Sequence, residues 1–316
     1  MGIAEPDPLA TAWRHQRPGA GELVIDHLGH FVPDADAGAE ALERLGFSVP
    51  PFSVHQQRVN PASALTPAGT GNRCVMLERG YLEFLSPTAD GRELPNAREV
   101  LAAARRYVGV HLIAFGTADP QVDFLRLAAQ GFQPMPIVDL QRPVATPQGE
   151  ETARFSVVRV PEGVMQEGRV QFCEQRAPEL IWQPRWMRHA NGARTLEQVL
   201  ICAEDPRAAV SRFGRFAGLR ARPFAAGFRL TFSRGEILFV DRQIAESWLD
   251  ERAPDLPWIA AYALGVDDIG ASRDFFVASG LPLRDLGTGR FAVTAPAAVG
   301  GVIVFQTLQE NCKAAA

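Results

Sequence analysis

Residues 25–34 read IDHLGHFVPD, and residues 37–47 read AGAEALERLGF. The first stretch is an apolar run broken by polar residues and closed by an acidic turn. The second has the spacing of an amphipathic helix and stops at a glycine. The phrase returns three times: as VHLIAFGTAD then PQVDFLRLAAQGF (110–132), as EQVLICAED then PRAAVSRFGRFAGL (197–219), and as IAAYALGVDD then IGASRDFFVASGL (259–281). Each copy predicts a strand, an aspartate helix cap, a helix and a glycine stop. Four copies predict four similar supersecondary units, and that repeat decides the fold.

Working outward, unit one continues as FSVPPFSVHQQ (47–57), strand-like but interrupted by prolines, hence an expected edge. A Pro, Ala and Gly-rich loop is expected over 61–71. NRCVMLERGYLEFLS (72–86) then reads as two strands about a turn at Arg79-Gly80. The unit is β-α-β-β-β. EVLAAARRYVG (99–109) is a connecting helix. Unit two closes with ARFSVVRV (153–160) and GRVQFCEQ (168–175). Unit three closes with FRLTFSRGEILFVD (228–241), and unit four with RFAVTAP (290–296) and GGVIVFQ (300–306).

A βαβββ unit leaves one sheet face uncovered, so units are expected to pair. The expectation is an α+β fold of two paired-module domains, each a curved mixed sheet, an open barrel, with helices outside. Residues 1–21 form a loose arm, 22–182 the N-terminal domain and 183–316 the C-terminal domain. The linker falls in RAPELIWQPRWMRHANGART (176–195), where prolines and a His-Ala-Asn-Gly turn break the rhythm.

Composition is that of an average globular chain: 316 residues, 47% hydrophobic, 22% charged, net charge −4. A basic stripe for nucleic acid is missing, and no apolar run reaches the ~18 residues of a membrane span. The N-terminal segment lacks the apolar core of a signal peptide, so the expected location is cytoplasmic. The expected partner is a small-molecule substrate, with no nucleic acid and no membrane, in a monomer or homodimer. Cys74, Cys173, Cys202 and Cys312 form no CxxC pair, and the first three lie in apolar runs that suit buried thiols.

The units differ in their chemistry. Counting back seven residues from each acidic cap reaches His27 from Asp34, Gln198 from Asp205 and Ala261 from Asp268. Unit two offers His111, eight residues before Asp119, at the cost of a one-residue slip. In the closing strands the matching positions are Glu83, Glu174, Phe239 and Val304. Units one and two thus supply His27, Glu83, His111 and Glu174; units three and four supply none. A carboxylate in an apolar strand is costly unless paired or coordinated. Two of them, each matched by an imidazole, predict a shared divalent cation of the Zn, Mn, Fe, Co or Ni type. Glu83 or Glu174 is then a candidate general base. Of Asn72 and Arg73, adjacent on a strand, at most one enters the cleft; Arg73 is a candidate for binding a substrate carboxylate or phosphate. His30 lies on the opposite strand face from His27. His15, His55 and His189 carry little signal in their irregular surroundings.

IDHLGHFVPDADAGAEALERLGF with NRCVMLERGYLEFLSP resembles a module of the vicinal oxygen chelate superfamily, specifically the glyoxalase-like domain proteins. The resemblance runs from about residue 22 to 308. That superfamily includes glyoxalase I, methylmalonyl-CoA epimerase, extradiol dioxygenases, hydroxyphenylpyruvate dioxygenase and antibiotic-resistance proteins. Its metal ligands stand on the first and last strands of paired modules, and the resemblance carries these roles to His27, Glu83, His111 and Glu174. Four-module dioxygenases place their ligands in the C-terminal pair; here that pair has none. The resemblance therefore implies a divalent-metal-dependent lyase or isomerase in the N-terminal pair, acting on a small carbonyl or vicinal-oxygen compound. A non-haem iron dioxygenase using His27, His111 and Glu174 is the alternative. A metal-free binding protein for an antibiotic or toxin, with Trp182, Trp186 and Trp258 for stacking, is another.

Overall fold

The computed structural model describes residues 7–19, 21–58, 63–287 and 289–308. Unit one comprises β1 (Val24–Phe31), α1 (Ala35–Arg44), β2 (Ser53–Arg58), β3 (Thr66–Met76) and β4 (Tyr81–Pro87). After α2 (Pro95–Arg106), unit two runs β5 (Gly109–Gly116), α3 (Pro120–Ala129), β6 (Val138–Thr146), β7 (Gly149–Arg159) and β8 (Arg169–Gln175). The short α4 (Pro178–Ile181) leads to unit three: β9 (Ala193–Cys202), α5 (Pro206–Ala217), β10 (Arg222–Phe224), β11 (Gly227–Thr231) and β12 (Glu236–Val240). Helix α6 (Arg242–Leu249) precedes unit four: β13 (Trp258–Val266), α7 (Ile269–Ala278), β14 (Leu283–Asp285), β15 (Arg290–Thr294) and β16 (Val302–Thr307).

The repeated phrase does locally what its residues dictate. Asp34, Asp119, Asp205 and Asp268 each cap the helix that follows, their carboxylates accepting backbone N–H groups of its first turn. Beyond the four helices, Gly46, Gly131, Gly218 and Gly280 sit at φ of 82°, 79°, 71° and 65°. A side chain at that left-handed turn would strain the backbone, so glycine is the stop in every unit.

The two halves close differently. In the first, the strands run β1-β4-β3-β2-β6-β7-β8-β5, and β5 returns to β1, so an eight-stranded mixed sheet becomes a closed barrel. The seam on its far side is β2 against β6, Gln56 opposite Gln141 and Gln57 opposite Leu140. In the second half the order is β10-β11-β12-β9-β13-β16-β15-β14. Its end strands β10 and β14 do not pair with each other, which leaves a curved open sheet. Ile259 of β13 opposite Val110 of β5 stitches the halves into one continuous sheet.

A single apolar core also spans them. Phe115 and Phe172 of the barrel pack on Phe216 of α5, with the Phe172 and Phe216 rings stacked at 5.3 Å. His30 stacks on Phe84 and meets Tyr262 of β13 edge-on. Both faces of β1, β5 and β13 are therefore buried. One face looks into a cleft and the other into the shared core, which is why these strands read as apolar runs rather than clean alternation.

Two expectations need correction. The arm is not loose over residues 7–17: a 3₁₀ turn at Pro8–His15 buries Leu9 and Ala12, Gln16 donates to the Glu78 carbonyl, and Arg17 donates to the Gln175 carbonyl. The expected loop at 61–71 is shorter, because β3 begins at Thr66. The strand β6 gave no signal in the sequence, since Pro143 interrupts it and it lacks alternation. No helix among the described residues is long and apolar enough to cross a membrane.

Candidate active site

Strand pairing fixes which residues of the four units correspond. In the parallel pairs of first and last strands, His27 lies opposite Tyr81 and Leu112 opposite Arg169. Likewise Gln198 lies opposite Glu236 and Ala261 opposite Val302. Two residues further on, the closing strands present Glu83, Gln171, Leu238 and Val304. The structural quartets are thus His27, Glu83, Leu112 and Gln171 in the barrel, and Gln198, Leu238, Ala261 and Val304 in the open sheet. The first quartet lines a cavity of about 70 Å³ inside the barrel, and the second a cleft of about 750 Å³.

Glu83 sits at the centre of the barrel cavity. Its Oε1 accepts a 2.6 Å hydrogen bond from the Asn72 amide and lies 3.9 Å from His55 Nε2. Its Oε2 lies 3.8 Å from His27 Nε2. His27 is held on both sides: its Nδ1 is 2.6 Å from the Asp26 carboxylate, and its ring stacks on Tyr81 at 4.3 Å. Asp26 reaches that ring because it is bulged out of the ladder between Ile25 and His27, which turns its side chain from its alternating direction. Gln175 donates to the same carboxylate at 2.9 Å.

Burial pushes the Glu83 carboxyl up, but His27, His55, Asn72 and Arg142 together hold it below its ordinary value, so it stays ionised. Burial lowers His55 to about 4 despite the opposing charge of Glu83. The rest of the wall combines arginines, neutral polar groups such as Gln171 and Asn96, and apolar groups. Arg142 is buried against the Phe155 ring, Arg159 has a buried Nε with no partner among the described residues, and Arg169 is paired with Glu99. Leu85, Leu112, Leu140 and Val157 are among its apolar members.

Of the residues expected from sequence, the structure brings together only His27 and Glu83. His111 is turned away. It is the bulged residue of β5, left unpaired between Leu112 and Val110, so the extra residue that made the slip necessary expels the histidine from the cleft. Its Nε2 meets the Tyr107 carbonyl at 2.8 Å, and its ring is stacked between Phe31 and Tyr107. Leu112, seven residues before Asp119, takes the inward position. Glu174 follows Cys173, which faces the cavity, and so points outward, where it pairs with Arg176 at 3.1 Å. Phe239 is likewise one residue off, the inward residue being Leu238. Arg73 is outside as well, donating to the Pro50 carbonyl and to Asp36, while its neighbour Asn72 enters the cavity.

The sequence reading missed Asp26, Arg142 and Gln171, gave His55 little weight, and favoured Arg73 over Asn72 of that adjacent pair. A strict seven-residue count in unit two would have shown that His111 is out of register. His55 lies in a stretch that reads as a strand, but it is bulged between Val54 and Gln56, so alternation did not mark it as inward.

The donor set fits a divalent ion. With the Nδ1 proton donated to Asp26, His27 Nε2 presents a lone pair to the cavity. Its 3.8 Å separation from Glu83 Oε2 is too long for a hydrogen bond. It suits two ligand atoms each roughly 2.0–2.2 Å from a shared ion. Among the described residues, the group whose ligand atoms all lie within 4.8 Å of one another is Asp26, His27 and Cys173. In that group the 2.6 Å Asp26–His27 contact is a hydrogen bond, which leaves Nε2 as the open donor of His27. An ion would be held by His27 and Glu83, with His55 across the carboxylate.

The sequence matches the profile of a Glyoxalase-like domain over residues 25–216. No curated protein sequence matches it. A hypothetical protein from Staphylococcus aureus has a similar fold over 90% of this chain and 100% of its own, at 10% identity and a TM-score of 0.60. A triple mutant of 4-hydroxymandelate synthase from Streptomyces coelicolor is similar over 93% of this chain and 96% of its own, at 15% identity and a TM-score of 0.56. Identities this low establish a shared fold and nothing finer. Both the profile and the four paired units point the same way: the chain belongs to the glyoxalase-like domain family, within the vicinal oxygen chelate superfamily.

Proposed function

We propose that the barrel is a divalent-metal-dependent lyase or isomerase centre for a small carbonyl substrate that carries an anionic group. The observation that carries this reading is Glu83: an ionised carboxylate at the centre of a buried cavity, between two imidazoles and facing buried arginines. A bound divalent ion would polarise the substrate carbonyl and so favour loss of the adjacent proton. His27 and Glu83 are the ligands assigned to it, with His55 as a third donor. Asp26 holds the His27 ring in place. Arg142 and Arg159 attract the anionic group, and the apolar wall of Leu85, Leu112 and Val157 keeps water from the carbanion. Glu83 is the proton acceptor once its Oε2 leaves the ion, because it is the carboxylate that lines the cavity.

The test is metal analysis of protein purified without added metal, followed by deuterium exchange in D₂O. Metal-loaded protein is expected to exchange the proton alpha to the carbonyl of small 2-oxo and 2-hydroxy acids. Glu83→Gln is expected to abolish that exchange. Metal-free protein with undiminished exchange in Glu83→Gln overturns the proposal. One observation favours a second reading. His27, His55 and Glu83 form a two-histidine, one-carboxylate set of the kind used by non-haem iron oxygenases, and oxygen uptake with Fe(II) and the same acids separates the two.

A further inference from the structure

The larger cavity lies in the other half. The C-terminal cleft of about 750 Å³ is within the size range of small-molecule sites. It is hollow because its quartet is short or apolar: Ala261 stands where the barrel has His27, and Val304 where it has Glu83. Ala263 extends the same floor. Nothing in that quartet suits a cation.

The charges around it are cationic. Arg229, Arg284 and Arg290 line the cleft against one carboxylate, Glu236. Glu236 is already engaged, accepting from Gln198 at 2.7 Å and lying 3.5 Å from Arg229. Arg290 is the least satisfied of the three. Its Nη2 reaches Gln198 Oε1 at 3.4 Å, while its Nε is buried with no partner among the described residues. A buried guanidinium N–H without an acceptor is costly, and an incoming carboxylate would satisfy it. Across the floor, Trp248 of α6 is 37% exposed and forms a wall of the cleft. A large aromatic surface left open to a cavity is suited to a flat partner.

We infer that the C-terminal cleft is a metal-free binding site for an aromatic carboxylate, its ring against Trp248 and the alanine floor and its carboxylate on Arg290. This site is separate from the barrel, and the inference stands whether or not the barrel binds metal.

The experiment is calorimetric titration of the full chain with 2-naphthoate and with the neutral 2-naphthamide, alongside Trp fluorescence. Naphthoate is expected to bind about tenfold more tightly than naphthamide, the worth of one charge-assisted contact. Arg290→Gln is expected to remove that preference and leave naphthamide unchanged. Trp248→Ala, checked for native fold by circular dichroism, is expected to weaken both ligands and to remove the fluorescence change. His27→Ala, in the barrel, is expected to alter neither. The inference is overturned if neither ligand binds at millimolar concentration. It is equally overturned if both bind alike, or if binding survives Trp248→Ala but is lost in His27→Ala.

Discussion

The barrel and the open sheet are built from the same unit, yet one encloses a tight charged cavity and the other a wide cleft without metal ligands. Two differences account for this, on a shared backbone plan. The β2–β6 seam closes the first sheet on itself, whereas β10 and β14 stay apart in the second. The residue bulged out before the first inward position is Asp26 in β1 and Ala260 in β13, so only the barrel has a carboxylate to orient an imidazole. The second bulge falls at His111 in β5 and at Glu197 in β9, which leaves Leu112 and Gln198 facing inward. Pseudo-symmetry preserved the backbone devices, and substitution at a few inward positions made two different sites.

The comparison breaks if the barrel does not depend on its two donors. Glu83→Gln and His27→Ala are each expected to remove bound metal and to lower proton exchange by at least ~100-fold. Gln198→Ala in the open sheet should leave the metal content as it was; elemental analysis of the three variants decides. Asp26→Asn comes next. It keeps the shape but loses the charge that fixes the His27 proton, and about a 10–100-fold loss of metal affinity is expected by competition with a chelator.

Leu112→His sharpens the contrast in the other direction. It puts an imidazole at the position His111 fails to reach, and metal affinity should rise by about tenfold. His111→Ala, by contrast, should leave metal affinity untouched and lower the unfolding temperature.

Acid separates the halves again. All six histidines precede residue 190. Burial lowers His30 to about 3, and His111 and His189 to about 4. Their unfolded forms take up protons near the ordinary value of about 6.5. Between that pH and about 4 the unfolded chain binds more protons than the folded one, so stability falls as pH falls. Each group contributes up to about 1.4 kcal/mol per pH unit. Hydrogen exchange at pH 5 should therefore open the barrel before the open sheet. Equal protection in the two halves would contradict this. The smallest effects are at the outward residues: Arg73→Ala and Glu174→Ala remove exposed or partly exposed ion pairs and should change stability by less than about 1 kcal/mol, with no change in bound metal.

The sequence by itself determined the repeat and what is local to it. Aspartate caps, glycine stops and strand-turn-strand endings all follow from short-range hydrogen bonding and backbone sterics, which a few neighbouring residues specify. It also singled out His27 and Glu83, because polar groups within apolar strands are conspicuous. Tertiary structure decided which way the rest point. Side chains alternate with a period of two, so one bulged residue in β5 is enough to send His111 out of the cleft and one in β1 to bring Asp26 onto His27. Asn72 reaches Glu83 across the β3–β4 hairpin, whereas His55 reaches it only because β2 is laid beside β3 and held on its other side by β6 of the next unit. Cavity size was likewise decided there, by whether two distant strands meet along a seam.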